Sequence, residues 1–168
     1  APDNGNPVPP RVSSRPLYEQ GYVRDALALG WRVGFTAGGD DHFGHWGSEH
    51  RFHYGYRQGL MCVEAAELSR EAIFAAMNRR RVVATTGARM LLRYRLDDCP
   101  MGSELSLEAL PDLRERRRLA IEFHGTALVD RIDVIRNNAV VHTVPGGGEQ
   151  DLHVVWEDRD PIGDVWLP

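Results

Sequence analysis

The chain has 168 residues, and its 42% hydrophobic and 26% charged content is ordinary for a soluble globular protein. All 20 basic residues are arginine, which excludes a Schiff-base lysine, a P-loop lysine and a Ser-Lys dyad. The net charge of −4 and the lack of a long apolar run make neither nucleic acid nor a membrane an expected partner. The sequence shows no signal peptide, and its start at Ala1 indicates processing or an excerpt from a longer polypeptide.

The first half of the sequence alternates helix and strand signals. An apolar stripe over residues 18–29 predicts a helix that stops at Gly30. Ser69 is the predicted N-cap of a second helix, and the arginines at the end of that helix suit its dipole. Short apolar runs predict strands over residues 31–37, 60–65 and 82–84. This order is the one expected of an α/β layered or barrel fold.

The character of the sequence changes after about residue 89. Apolar and polar residues alternate over 90–96, and strand-length runs separated by turn residues follow at 119–123, 132–135, 140–144 and 152–156. The pattern predicts an antiparallel, sandwich-like β region, so we divide the chain into an α/β part (1–95) and a β-rich part (96–168). The arginine run at 113–118 is interpreted as a solvated loop or helix end, and His124, His142 and His153 as scattered surface or half-buried side chains.

Two carboxylates and four histidines follow the predicted strand over 31–37: Asp40, Asp41, His42, His45, His50 and His53. Neutral imidazole and ionised carboxylate are the usual ligands of zinc, manganese and iron. Because alternate residues of an extended backbone point the same way, Asp40 and His42 can reach one ion. Asp41 either orients a ligating imidazole, as the predicted catalytic carboxylate, or is a solvated loop residue.

Two further groups are candidates for substrate binding. His45 lies among aromatic residues and forms either a substrate-facing wall or part of a packed surface loop. Thr85 and Thr86, followed by glycine, end the predicted strand over 82–84. Their hydroxyls and the nearby backbone N–H groups could bind an oxyanion, with Arg89 or Arg81 as its partner. A Thr-Thr-Gly at a strand end is also an ordinary turn.

Four motifs, at residues 34–42, 69–74, 80–90 and 101–103, resemble the C-terminal part of PHP-superfamily metal-dependent hydrolases. The similarity is greatest to a poorly characterised branch with an ATTG-R signature, here Ala84-Thr-Thr-Gly-Ala-Arg89. The resemblance implies the C-terminal part of a distorted (β/α)7 barrel, two or three divalent ions (Zn, Mn or Fe), and a phosphoesterase-like activity on a small molecule. Asp40 and His42 fall on the family's late Asp-x-His motif, so the resemblance implies that they are metal ligands. The family's early His-x-His motif has no counterpart in this sequence, so the chain would hold only part of the site.

Three hypotheses follow. In the leading hypothesis, the chain is part of a metal-dependent, phosphoesterase-like hydrolase that uses metal-activated water. Its expected substrate is a small, phosphorylated molecule. The alternative is a non-catalytic binding or interaction module from a degenerate or incomplete barrel. The third is a different metalloenzyme whose whole site comes from the histidines between His42 and His53. The sequence carries no signal for an oligomeric state or a compartment.

Overall fold

The structure, a computed structural model, describes residues 23–39 and 59–162. These residues fall into two compact units. One unit holds residues 23–32 and 133–143, and the other holds residues 33–39, 59–132 and 144–162. The proposed division between residues 95 and 96 stays a prediction.

Helix α1 (Val23–Ala28) ends at the glycine that the sequence indicates. The N–H of Gly30 donates to the carbonyl of Leu27 at 2.9 Å, and the N–H of Trp31 donates to the carbonyl of Ala26 at 3.1 Å. This pair of bonds is the Schellman pattern, which needs a left-handed residue after the helix. Gly30 supplies it with φ +82°, so the predicted helix stop is confirmed.

Residues 31–39 form no strand, so the strand predicted over 31–37 is wrong. The large side chains of Trp31, Val33 and Phe35 are all exposed, and none of these residues joins a ladder. A strand forms where a neighbouring strand accepts and donates backbone hydrogen bonds. Aromatic and β-branched residues favour that arrangement but do not create it alone.

Strand β1 (Leu60–Val63), helix α2 (Arg70–Asn78) and strand β2 (Val82–Thr85) follow along the chain. The two strands form a separate sheet and run antiparallel, with Leu60 opposite Thr85. The helix therefore connects two strands of opposite direction, which a tight turn could also have joined.

Both ends of α2 are fixed by specific hydrogen bonds. Ser69 caps the first turn as predicted, because its hydroxyl accepts from the N–H of Ala72 at 3.2 Å. At the other end the Schellman pattern recurs, with the N–H of Arg80 donating to Met77 (2.9 Å) and that of Arg81 to Ala76 (3.0 Å). Here the left-handed position holds Arg80, at φ +57°, instead of glycine. That conformation costs an L-residue about 1–2 kcal/mol.

The larger sheet begins with a hairpin of β3 (Leu91–Leu96) and β4 (Cys99–Pro100). A 3-10 turn at Pro111–Arg114 leads into β5 (Arg117–His124), which pairs antiparallel with β3. The apolar residues of β3 and β5 alternate with polar ones, as a sheet with one covered face requires.

A second hairpin precedes the last strand of that sheet. It consists of β6 (Arg131–Arg136) and β7 (Ala139–Pro145), joined by Asn137 and Asn138 with φ +52° and +62°. Two consecutive left-handed residues are what a type I′ turn needs, and asparagine tolerates that conformation. Strand β8 (Asp151–Asp158) then pairs with β5, which gives the strand order β4-β3-β5-β8.

The arginine run at 113–118 is not simply a solvated segment, and that interpretation is wrong for Arg117. Its side chain is only 3% exposed and forms an ion pair with Asp158, with Nη2 and Nε both 3.0 Å from Oδ2. Its remaining donors reach the carbonyls of Leu113 (2.6 Å), Arg114 (3.1 Å) and Asp160. The guanidinium thus ties the 3-10 turn to the end of β8.

The predicted fold class, the C-terminal part of a distorted (β/α)7 barrel followed by a sandwich-like β region, is wrong. Across the described residues the sheets are antiparallel, the helices are few and no (β/α) barrel is present, so the fold is β-rich and not α/β. Such a barrel needs parallel neighbours, and the order of helices and strands along a sequence does not set the direction in which strands pair. The most buried apolar residues lie in the larger unit: Ala76, Met101, Leu113 and Ile121.

Candidate functional site

The acidic and histidine-rich candidates Asp40, Asp41, His42 and His45 lie outside the described residues. The described chain stops at Gly39 and resumes at Gly59, and these two ends come close together. A Cβ added to Gly59 would lie 2.8 Å from the Cβ of Ala37 and 3.1 Å from the backbone N and O of Gly38. Glycine is therefore needed for this approach. Leu60, the next residue, lies opposite Thr85, so the contact is at the Thr85 end of the β1–β2 sheet.

The Thr-Thr-Gly segment forms a tight turn at the same end of the sheet. Thr85 is 6% exposed, and its hydroxyl donates to the carbonyl of Ala88 at 2.8 Å while accepting from the N–H of Gly87 at 3.2 Å. The hydroxyl proton and one lone pair are thereby used inside the turn. Thr86 and Arg89 remain exposed on its surface.

A shallow depression of about 340 Å³ adjoins this turn. Its walls are largely apolar, with Met61, Met90 and Leu91 beside Arg89 and the free thiol of Cys62. Within residues 23–39 and 59–162, Arg89 has no ion pair, so its guanidinium is available to an anion at the rim. A guanidinium offers paired donors that match the oxygens of a phosphate or carboxylate.

Arg81 does not share this location. It immediately precedes β2, whereas Thr85 is the last residue of that strand. Four residues of extended chain separate their backbones by roughly 13 Å. Arg81 lines a different cavity, at the C-terminal end of α2. Of the two arginines that the sequence offers as oxyanion partners, only Arg89 lies at the Thr-Thr-Gly turn.

A cluster of ionisable groups that the sequence did not indicate lies on one face of the larger sheet. His124 lies with Nε2 3.0 Å from Glu122 Oε1 and Nδ1 3.4 Å from Asp151 Oδ1, and its ring centroid is 5.7 Å from that of His153. The hydrogen bond that His124 donates to Glu122, and then the one that it donates to Asp151, raise the pKa of His124 above its ordinary value. The same bond lowers the pKa of Glu122. The spacing of two residues within each strand was visible in the sequence, but the pairing of β5 with β8 was not.

Nowhere in the described part of the chain do three or more His, Cys, Asp or Glu side chains converge so that they could hold a metal ion. The predicted ligands Asp40 and His42 belong to the segment outside it. No described helix is long and apolar enough to cross a membrane.

Comparisons with known proteins place the turn in a matched region. Residues 47–96 match the model of a family described as "Protein of unknown function (DUF3604)", and this range includes the whole Thr85–Arg89 turn. The chain is 33% identical over 166 residues to an uncharacterised protein of Chlamydia trachomatis serovar D and 32% identical over 164 residues to one of Chlamydia muridarum. A third such protein, of Chlamydia pneumoniae, is 32% identical over 167 residues. These matches take in 97–98% of this chain but 26% of each relative, so the chain spans about a quarter of the length of the curated relatives it matches. No solved structure matches.

Proposed function

We propose that this chain supplies part of the active site of a metal-dependent, phosphoesterase-like hydrolase. The observation that carries the proposal is the contact of Gly59 with Ala37 and Gly38. It brings both ends of the segment that contains Asp40 and His42 to the end of the β1–β2 sheet where Arg89 is exposed. The described residues that flank the candidate metal ligands thus lie at the same end of the sheet as a candidate phosphate-binding guanidinium, which supports the proposal.

The residues have separate roles in this proposal. Asp40 and His42 offer a carboxylate and an imidazole, which are suitable ligands for Zn, Mn or Fe. Asp41 is the catalytic carboxylate that orients the ligating imidazole. A divalent ion held there, one of two or three in the complete site, would lower the pKa of a bound water and so provide the nucleophile near neutral pH.

Substrate binding falls to the exposed donors around the turn. Arg89 donates to a phosphoryl oxygen of a small-molecule substrate, Thr86 adds a hydroxyl, and His45 contacts the rest of the substrate. Thr85 acts through the turn, since its hydroxyl holds the backbone that presents Thr86 and Arg89. The activity of the whole protein is part of the proposal, because the chain spans 26% of its relatives.

Metal content tests the first role. We expect the purified chain, stripped of metal and reloaded with Mn²⁺ or Zn²⁺, to retain metal that Asp40→Ala and His42→Ala both lose, while the control His142→Ala keeps it. A chain that takes up no metal at any loading would contradict the proposal for this chain. Retention in Asp40→Ala and His42→Ala, with loss in His45→Ala or His50→Ala, would instead support a site built from the later histidines.

The second candidate is a non-catalytic interaction module. The antiparallel pairing of β1 with β2 favours it, because an open two-stranded sheet does not enclose a site as a closed barrel does. This candidate predicts a folded chain without bound metal, so the metal assay separates the two.

A further inference from the structure

A second cavity, of about 410 Å³, lies at the C-terminal end of α2. Its wall includes the three consecutive residues Arg79, Arg80 and Arg81, together with Gly102 and Ser103. We call this cavity the arginine pocket. Arg81, in the wall of the arginine pocket, directly precedes β2, whereas Thr85 is the last residue of that strand. The two sites are therefore at opposite ends of β2. The proposed hydrolase function does not use the arginine pocket.

The charges in the arginine pocket are not balanced. Arg80 is neutralised, because its Nη2 lies 2.8 Å from Glu104 Oε1 and donates to the carbonyl of Gly102 at 3.1 Å. Arg79 and Arg81 form no ion pair with any residue of the described ranges. Two positive charges therefore line one concave surface, and the carboxylate among its lining residues, Glu104, is paired with Arg80. An anion that carries two negative charges is the complementary ligand.

The backbone keeps Arg80 in this wall at an energetic disadvantage. Arg80 occupies the left-handed position of a Schellman motif, where glycine is the unstrained choice and where α1 uses Gly30. The ion pair of Arg80 does not explain why arginine occupies this position instead of glycine. The Glu104 side chain is 52% exposed, and exposed ion pairs contribute little to stability. Residues held in sparsely populated backbone conformations cluster at binding sites.

The helix end itself does not repel an anion strongly. Three carbonyls of the last turn of α2 accept the N–H groups of Arg79, Arg80 and Arg81, which reduces the partial negative charge that the helix end presents. The fit of Gly102 against this end is tight, since a Cβ there would overlap the carbonyl oxygen of Arg79. The pocket is therefore a fixed surface that presents guanidinium groups.

We propose that the arginine pocket binds a phosphate group, either as free phosphate or as part of a phosphorylated small molecule. Arg79 and Arg81 donate to its oxygens, and Arg80 holds Glu104 away from the anion. Both sources share the same dianionic oxygens, so inorganic phosphate is a sufficient probe.

Calorimetric titration of the full 168-residue chain with inorganic phosphate, at constant ionic strength, tests this proposal. We expect one saturable site. Loss of one charge-assisted hydrogen-bonding group weakens binding by about tenfold, so Arg79→Ala and Arg81→Ala should each raise Kd by about that factor. The matched control is Arg70→Ala, an exposed arginine at the other end of the same helix, which should leave Kd unchanged.

Two further variants give results that general loss of structure would not produce. Arg80→Gly places at the left-handed position the residue that fits it best, so the chain should fold normally while the released Glu104 weakens phosphate binding. Glu104→Gln removes the competing carboxylate and should tighten binding. Circular dichroism confirms that each variant is folded.

Three outcomes would overturn the proposal: no saturable phosphate binding, Kd values unchanged in both Arg79→Ala and Arg81→Ala, or loss of binding in Arg89→Ala alone. The last would place the ion at the Thr85 turn, in support of the proposed hydrolase site and against the arginine pocket. Conversely, metal-free chain that still binds phosphate through Arg79 and Arg81 keeps this proposal even where the hydrolase proposal fails.

Discussion

The ion pair between Arg117 and Asp158 should be the most sensitive single contact in the larger unit. Both side chains are almost fully buried, at 3% and 6% exposure. Asp158 also accepts the N–H of Asp160 through its other oxygen, at 3.1 Å. The carboxylate is therefore held by a charged and a neutral donor, and water cannot replace Arg117 without opening the site.

Replacing Arg117 by Met keeps most of the side-chain volume and removes the charge. Asp158 then stays buried without the Arg117 guanidinium, and the carbonyls of Leu113 and Arg114 lose the hydrogen bond from Arg117. Removal of one partner of a buried pair costs about 3–5 kcal/mol, a large part of a typical free energy of unfolding of about 5–15 kcal/mol. With a urea m-value of about 2 kcal/mol/M, a loss of about 4 kcal/mol lowers the unfolding midpoint by about 2 M.

Urea unfolding followed by circular dichroism measures this effect in Arg117→Met, in Asp158→Leu and in the double variant. Replacing both charges by apolar residues removes the buried carboxylate together with the guanidinium, so we expect the double variant to lose less than the sum of the two single losses, with a coupling of about 2 kcal/mol. The control is Arg116→Ala, whose pair with Glu157 spans 3.5 Å with 58% of the arginine exposed, and which should cost less than about 1 kcal/mol. A loss in Arg117→Met as small as in Arg116→Ala, or strictly additive losses, would refute the reasoning.

Three other predictions concern single positions. Gly102→Ala combines φ +83° with overlap against the end of α2, so it should lower the free energy of unfolding by more than about 2 kcal/mol. Gly147→Ala, with φ +64° and open space around it, should lower it by about 1 kcal/mol. Equal urea midpoints for the two variants would contradict this. Thr85→Val removes the hydrogen-bonding partner of the Ala88 carbonyl and of the Gly87 N–H, so it should lower the free energy of unfolding by about 1–3 kcal/mol. Thr85→Ser keeps the hydroxyl and should retain most of the stability. Equal losses in the two variants would show that the hydroxyl does not stabilise the turn. The raised pKa of His124 means that its protonated form stabilises the sheet at pH values below the ordinary histidine pKa, and that this contribution is lost as the pH rises through the raised pKa. In Glu122→Gln the NMR-titrated pKa of His124 should fall, because its principal hydrogen-bonding partner loses its charge, and an unchanged value would exclude Glu122 as the cause.

Local features of the fold could be predicted because their causes are local. Ser69 caps α2 through a hydroxyl that reaches an N–H three residues away, and Gly30 ends α1 through its own φ. The asparagine pair between β6 and β7 likewise carries the conformation that its turn requires. Each of these signals depends on a few consecutive residues.

Features that depend on distant partners could not be predicted. The burial of Arg117 is set by Asp158, which lies 41 residues further along the chain. The direction in which β2 pairs with β1 depends on the path of the chain beyond α2, so the correctly predicted order β1-α2-β2 still gave the wrong fold class. The Thr85–Arg89 segment was recognised as a candidate site, but only the structure separates the buried Thr85 hydroxyl from the exposed Arg89.

The hairpin of β6 and β7 also has a consequence for the order in which the chain folds. The connection from β5 to β8 covers residues 125–150, and the hairpin accounts for residues 131–145 of it. A hairpin with a two-residue turn forms within about 1–10 μs, long before strands so far apart in sequence can meet. Once it has formed, about 11 flexible residues instead of about 26 separate β5 from β8, which lowers the entropy cost of closing that loop by about 0.8 kcal/mol. The asparagine turn is therefore expected to accelerate the docking of β8, and substitutions that prevent its left-handed conformation should slow folding more than they speed unfolding.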